Sequence, residues 1–151
     1  LSEDELEGAY VADLYAGGGT FSMALALAGA DVVAVEAAGS SVRDLRRNAD
    51  LNEVWVDVSG GDTGHELPGL GELDMLIVDP PRAGLADGVV ESIVKAGPEK
   101  VVYVSCDPQT LARDVLRFQN LGYELKRVQP VDLFPQTYHV ETVTLLIAQG
   151  V

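Results

Sequence analysis

Short apolar runs that alternate with helical segments constrain the fold of this chain more than any other feature. Residues 10–16 (YVADLYA) read as a strand that runs into Gly17-Gly18-Gly19, and 20–30 as a buried helix rich in alanine and leucine. Residues 31–36 (DVVAVE) give a second strand ending on an acid. An amphipathic helix follows over 40–52, with Val42, Leu45 and Leu51 inward and Arg43, Arg46 and Arg47 outward. A third strand is expected over 53–58, then a loop rich in glycine and acid over 59–72. The fourth strand, 73–79 (LDMLIVD), is stopped by Pro80 and Pro81, and a helix is expected over 86–96. Residues 100–106 form the fifth strand and 108–121 a helix ended by Gly122. Two strands, 123–131 and 140–149, close the chain around the irregular segment LFPQTYH. The opening LSEDELEG reads as a frayed tail or a helix end. Strands alternating with helices predict a parallel sheet with right-handed crossovers. Two final strands with no helix between them predict an antiparallel edge. The expected fold is α/β, one doubly wound, mostly parallel domain over residues 1–151.

With 151 residues the chain can bury a full core, and 47% apolar residues with 16 glycines suit a globular α/β protein. No apolar run approaches the roughly 18 residues that cross a bilayer, and no signal-peptide pattern opens the chain. No membrane association is expected. The single cysteine excludes an internal disulfide and agrees with a reducing, cytoplasmic setting. It also excludes a cysteine-rich metal centre, and His65 and His139 are too few and too scattered for another, so no metal is expected. A net charge of −14 repels phosphate backbones. A nucleic-acid role would need a local basic patch or a separate binding module.

Chemistry-bearing residues gather where strands end. Asp13, Tyr15, Gly17 and Gly19 occupy the first strand–helix turn, where glycines let backbone N–H groups approach a ligand. Glu36 ends the second strand, the place from which a carboxylate can accept hydrogen bonds from both ribose hydroxyls. A dinucleotide fingerprint would want glycine at position 22, which is Ser22 here. The turn is instead similar to the S-adenosylmethionine (SAM) site of class I methyltransferases. Asp57 and Asp62 are both candidates for the adenine contact, and the sequence does not choose between them. Asp79, Pro80 and Arg82 follow the fourth strand, where the prolines fix the backbone and leave carbonyls and the Asp79 carboxylate to face a planar base. Cys106 stands where the fifth strand stops. Asp107 offers an N-cap and Pro108 a first helical residue, so a helix N-terminus should lie beside the thiol and favour its thiolate. Glu141 lies in an apolar stretch (HVETVTLL) where a carboxylate is costly unless paired or used. His139 reads as structural.

DLYAGGGTF, DPPRAG, VSCDPQTLARD and FPQTYHVE together resemble the catalytic domain of the RNA 5-methyluridine (uracil-C5) methyltransferases, over nearly the whole chain. The resemblance implies SAM as cofactor, tRNA or rRNA as substrate, Cys106 as the nucleophile that adds to uracil C6, and Glu141 as the base that removes the C5 proton. Asp79 would orient the uracil. The sequence departs from the family at Ala16, commonly cysteine, and at Asp107, commonly asparagine, and its connection into the third strand is shorter. The family also carries an upstream F-Q-x-N segment and an N-terminal RNA-binding domain. The chain is therefore expected to be a monomeric piece of a longer enzyme whose RNA grip lies mainly elsewhere. Two rivals stay open from the residues alone: a class I methyltransferase on another substrate, with Cys106 structural, and a truncated SAM-binding domain without activity of its own.

Overall fold

A computed structural model describes residues 2–150. Along the chain run α1 (Glu3–Leu6), β1 (Tyr10–Leu14), α2 (Thr20–Leu27), β2 (Asp31–Val35), α3 (Gly39–Leu51) and β3 (Asp57–Ser59). Then come α4 (Thr63–Glu66), a 3-10 turn (Leu67–Gly69), β4 (Met75–Val78), α5 (Val89–Ala96), β5 (Lys100–Ser105), α6 (Pro108–Asn120), β6 (Tyr123–Val131) and β7 (Glu141–Ala148). The strands form one sheet in the order β3-β2-β1-β4-β5-β7-β6. β1 to β5 pair in parallel, whereas β7 inserts antiparallel between β5 and β6. The doubly wound α/β fold with an antiparallel C-terminal edge is thus observed.

Alternation along each strand sends side chains to two cores. Leu14, Val35, Leu76, Val78 and Tyr103 pack against Ile93 of α5 and Leu111 and Phe118 of α6. Val11, Val32, Ala34 and Ile77 pack on the other face with Met23 of α2 and Leu45 of α3. Burying one such side chain fully contributes about 1.5–3 kcal/mol. Gly19 caps α2 at φ 87°, and a Cβ there would stand 3.0 Å from Leu45 and 3.1 Å from Met23. The third residue of the glycine turn is therefore needed for helix packing as well as for backbone conformation.

Three local readings change. The third strand begins at Asp57 rather than at 53, because α3 ends through Glu53 at φ 54°, with the Val54 N–H donating back to the Ala49 carbonyl at 3.1 Å. Leu51, expected inward, lies in that last turn and is 70% exposed, while Ala49 takes the buried position. The loop expected over 59–72 contains α4, which is N-capped by the Asp62 side chain accepting from the Gly64 N–H at 3.0 Å, and then the 3-10 turn. The acidic opening forms α1 behind a Ser2–Glu5 capping box.

Candidate active site

The chemistry-bearing turns meet at the carboxyl edge of the parallel strands, the end at which doubly wound sheets hold ligands. Register does most of the assembly. Ser105 of β5 is opposite Thr142 of β7. Cys106 follows Ser105 and Glu141 precedes Thr142, so both stand at this end of the antiparallel pair. Val78 is opposite Tyr103 on one side and Leu14 on the other, so Asp79 leaves β4 between the ends of β1 and β5.

Cys106 is a free, partly buried thiol between β5 and α6. The helix begins at Pro108 behind Asp107, whose carboxylate accepts from the Gln109 and Thr110 N–H groups at 2.9 and 3.0 Å. These bonds hold the Asp107 carboxyl below the usual carboxylate range. The first-turn donors expected to face the sulfur are therefore taken by the cap. Ser105 adds a local tie, its hydroxyl donating to the Asp107 carbonyl and accepting from the Asp107 N–H. The strand-to-helix corner that carries Cys106 is thus fixed from both sides.

Asp79 is exposed overall, but its carboxyl is raised, first by partial dehydration and then by the charge of Glu141. The Asp79 and Glu141 carboxylates are thus near enough for the charge of one to act on the other. Pro80 is buried and fixes the turn. The exposed Arg82 reaches the loop before β7, where its Nη2 lies 3.3 Å from His139 Nδ1. A guanidinium can only donate, so His139 accepts there and carries any proton on Nε2. His139 therefore joins the two loops over the site instead of serving only its own.

On the cofactor side, Glu36 Oε2 accepts from the Gly17 N–H at 2.7 Å and Oε1 from the Ala38 N–H at 2.8 Å. Each oxygen keeps a second lone pair for a ligand hydroxyl. Asp13 lies fully buried beneath the turn, with Oδ2 accepting from Ser22 at 2.5 Å and Oδ1 without a partner among the described residues. Burial pushes its carboxyl up to about 6 against the Ser22 bond, and the charges of Asp79 and Glu36 add to the rise. Position 22, glycine in a dinucleotide fingerprint, is thus the serine that holds Asp13. Tyr15 has φ 59°, an uncommon conformation for an aromatic residue. Burial raises its phenol, Thr63 opposes the rise, and the charges of Asp62 and Asp114 add to it. Asp62 is therefore near the turn, but its side chain serves as the α4 cap. Asp57 begins β3 opposite Val33, and its charge acts on Tyr10 at the amino end of β1. The structure does not bring Asp57 to the carboxyl edge.

The sequence profile of the tRNA (uracil-5-)-methyltransferase family matches residues 70–149, the segment that holds Asp79, Cys106 and Glu141. The chain belongs to this family. A Streptococcus pyogenes protein described as an uncharacterised RNA methyltransferase is 43% identical over 99% of this chain and 32% of its own length. A Clostridium tetani protein with the same description is 43% identical over 93% of this chain and 32% of its own. The Pyrococcus abyssi tRNA (uracil-54, C5)-methyltransferase, solved with S-adenosyl-L-homocysteine, superposes with a TM-score of 0.83 at 35% identity, over 96% of this chain and 36% of that one. The chain thus spans about a third of the length of these relatives. Within the tRNA (uracil-5-)-methyltransferase family frame, Asp79, Arg82, Cys106 and Glu141 lie in the profile match. The glycine turn and Glu36 lie before it, in the part shared with the longer relatives.

Proposed function

We propose that this chain is the catalytic domain of an RNA uracil-C5 methyltransferase that uses SAM and works through a covalent cysteine adduct. The observation that carries this reading is that the β5–β7 pairing ends at Ser105 and Thr142, the neighbours of Cys106 and Glu141, while the Glu141 charge acts on Asp79.

The residues present suit the cofactor. The buried, unpartnered Asp13 Oδ1 lies under the turn, and nothing lies within 4 Å of where a Gly17 side chain would begin. Gly17, Gly19, Glu36, Asp13, Tyr15 and Asp62 are the residues that would hold it. When bound, SAM supplies a methyl group on a positively charged sulfonium. The four carboxylates Asp13, Glu36, Asp79 and Glu141 give that end of the sheet the sign a cation needs.

Uracil C5 is a poor nucleophile until C6 is attacked. The Cys106 thiolate forms an S–C6 bond, and the C5=C6 electron pair moves into an enolate. C5 would then take the methyl group that bound SAM supplies, the S–methyl bond breaking to leave a neutral thioether. Glu141 removes the C5 proton, the C5=C6 bond re-forms, and the thiolate leaves. Asp79 and the carbonyls of the Pro80-Pro81 turn orient the base, which must leave its stack to reach them. The acidic charge of the domain and its share of the relatives' length support an RNA grip located mainly in the remainder of a longer protein. The Pyrococcus abyssi neighbour makes tRNA the first substrate to try.

Incubation with SAM and unmodified tRNA, followed by nucleoside mass spectrometry, tests the product. The expected product is 5-methyluridine, lost in Cys106→Ala. Glu141→Gln should accumulate protein–RNA adduct without release. Methyl transfer that survives Cys106→Ala would instead favour a class I methyltransferase of different chemistry.

A further inference from the structure

The methyl-transfer steps make no use of Asp114, a fully buried charge in the middle of α6. Its Oδ2 accepts from the Leu85 N–H at 2.8 Å and from the Tyr103 hydroxyl at 2.7 Å. Burial and the Asp114 charge both raise the Tyr103 phenol, which therefore stays a donor. Asp114 Oδ1 accepts from Arg113 Nε at 3.0 Å and lies 3.7 Å from Arg117 Nη1. Arg113 in turn donates through Nη2 to the Ala83 and Leu85 carbonyls at 3.0 and 3.2 Å. Thr110 donates to the Arg82 carbonyl at 3.0 Å. Gly84 closes the fit, because at φ 76° a Cβ would lie 2.5 Å from Arg113 Nη2 and 2.7 Å from Asp114 Oδ2.

Helix packing alone does not call for this arrangement. A buried ion pair is commonly no more stabilising than an apolar residue of the same volume. What the charges add is direction. Asp114, Arg113 and Thr110 all bond to backbone of the single segment 82–85, which continues directly from Asp79-Pro80-Pro81. The same helix begins two residues after Cys106.

We infer that Asp114 and Arg113 are positioning residues that lock segment 82–85 onto α6, so that the uracil-facing loop and the nucleophile move as one body. The inference rests on the uracil-C5 reading of the site. Asp79, Pro80 and Arg82 keep a fixed placement against Cys106 because backbone groups, not side-chain tips, are held. The cofactor half, built on β1, α2 and β2, makes none of these bonds. Loosening the clamp should therefore spare SAM binding and slow adduct formation.

The test compares the full chain with Asp114→Asn, Arg113→Lys and Thr110→Val. Hydrogen exchange, SAM affinity and the rate of Cys106 adduct formation with 5-fluorouridine-substituted tRNA are measured for each. In Asp114→Asn the amides of 83–86 should exchange at least tenfold faster, while those of α2 and β2 hold. SAM affinity should stay within twofold, and the adduct rate should fall at least tenfold. Arg113→Lys keeps the charge but loses the planar fork, so it should show the same pattern more weakly. Thr110→Val, which removes a single bond to the segment, keeps the inference falsifiable if Asp114→Asn does not fold. Exchange that rises across the whole domain, or in no variant at 83–86, overturns the inference. So does local loosening with an unchanged adduct rate. If the longer protein that carries this domain binds SAM and forms no Cys106 adduct, the proposed function fails, and the exchange data still decide whether the clamp exists.

Discussion

Among the described residues two aspartates are fully buried, and they are treated in opposite ways. Asp114, on the substrate side, has two arginines, a tyrosine hydroxyl and a backbone N–H around its two oxygens. Asp13, on the cofactor side, has one serine and an oxygen with no partner. Giving both oxygens partners makes a lock, whereas leaving one open at a cost in stability makes a place for a ligand. Substitutions should therefore act with opposite signs at the two positions.

The largest effect is expected at Asp114. Asp114→Ala strands the Leu85 N–H and the Tyr103 hydroxyl and leaves two guanidinium groups without their carboxylate, a loss of roughly 3–5 kcal/mol by denaturant unfolding. Asp13→Asn should do the reverse. The folded chain holds the Asp13 proton up to about pH 6 against an ordinary value of 3.8, so folding takes up a proton between them. Its contribution to stability consequently falls as pH rises through that window, by up to about 3 kcal/mol. Asp13→Asn should be more stable than the parent at pH 7, should lose that slope between about pH 4 and 6, and should bind SAM more weakly. An unchanged slope would mean that Asp13 is not the group that titrates.

Next comes Gly84→Ala, which forces φ 76° on a residue with a Cβ and crowds Arg113, at a cost of about 1–3 kcal/mol. The smallest effect belongs to Asp107. Asp107→Ala should lose about 1 kcal/mol with the α6 cap, and Asp107→Asn almost nothing, since either side chain accepts from Gln109 and Thr110. Thermal unfolding of both variants checks this pair.

Much of this is legible in the residues alone. The strand–helix alternation, the glycine turn and the Pro80-Pro81 stop are local signals, and local physics sets them. The spatial roles are harder to read. Position 22 looks like a missing glycine, yet it is the donor to Asp13, nine residues back in sequence. Leu51 follows the apolar period of α3 but falls in the turn where Glu53 redirects the chain. Asp57 and Asp62 are equivalent in sequence because the starting point of β3 is not fixed by any local signal. Asp114 leaves the clearest trace, a charge inside the apolar stripe Leu111, Val115 and Phe118 of α6. The Tyr103 hydroxyl and Leu85 N–H that it holds are 11 and 29 residues away, so only the folded chain could show them.

The central claim is that strand register delivers Cys106 and Glu141 to one uracil. Incubation with SAM and 5-fluorouridine-substituted tRNA tests it most directly, because fluorine at C5 cannot be abstracted as a proton. The predicted result is a denaturation-resistant protein–RNA adduct whose crosslinked peptide contains Cys106, and which is absent in Cys106→Ala. An adduct at any other residue, or 5-methyluridine formed at full rate by Cys106→Ala on ordinary tRNA, would contradict it.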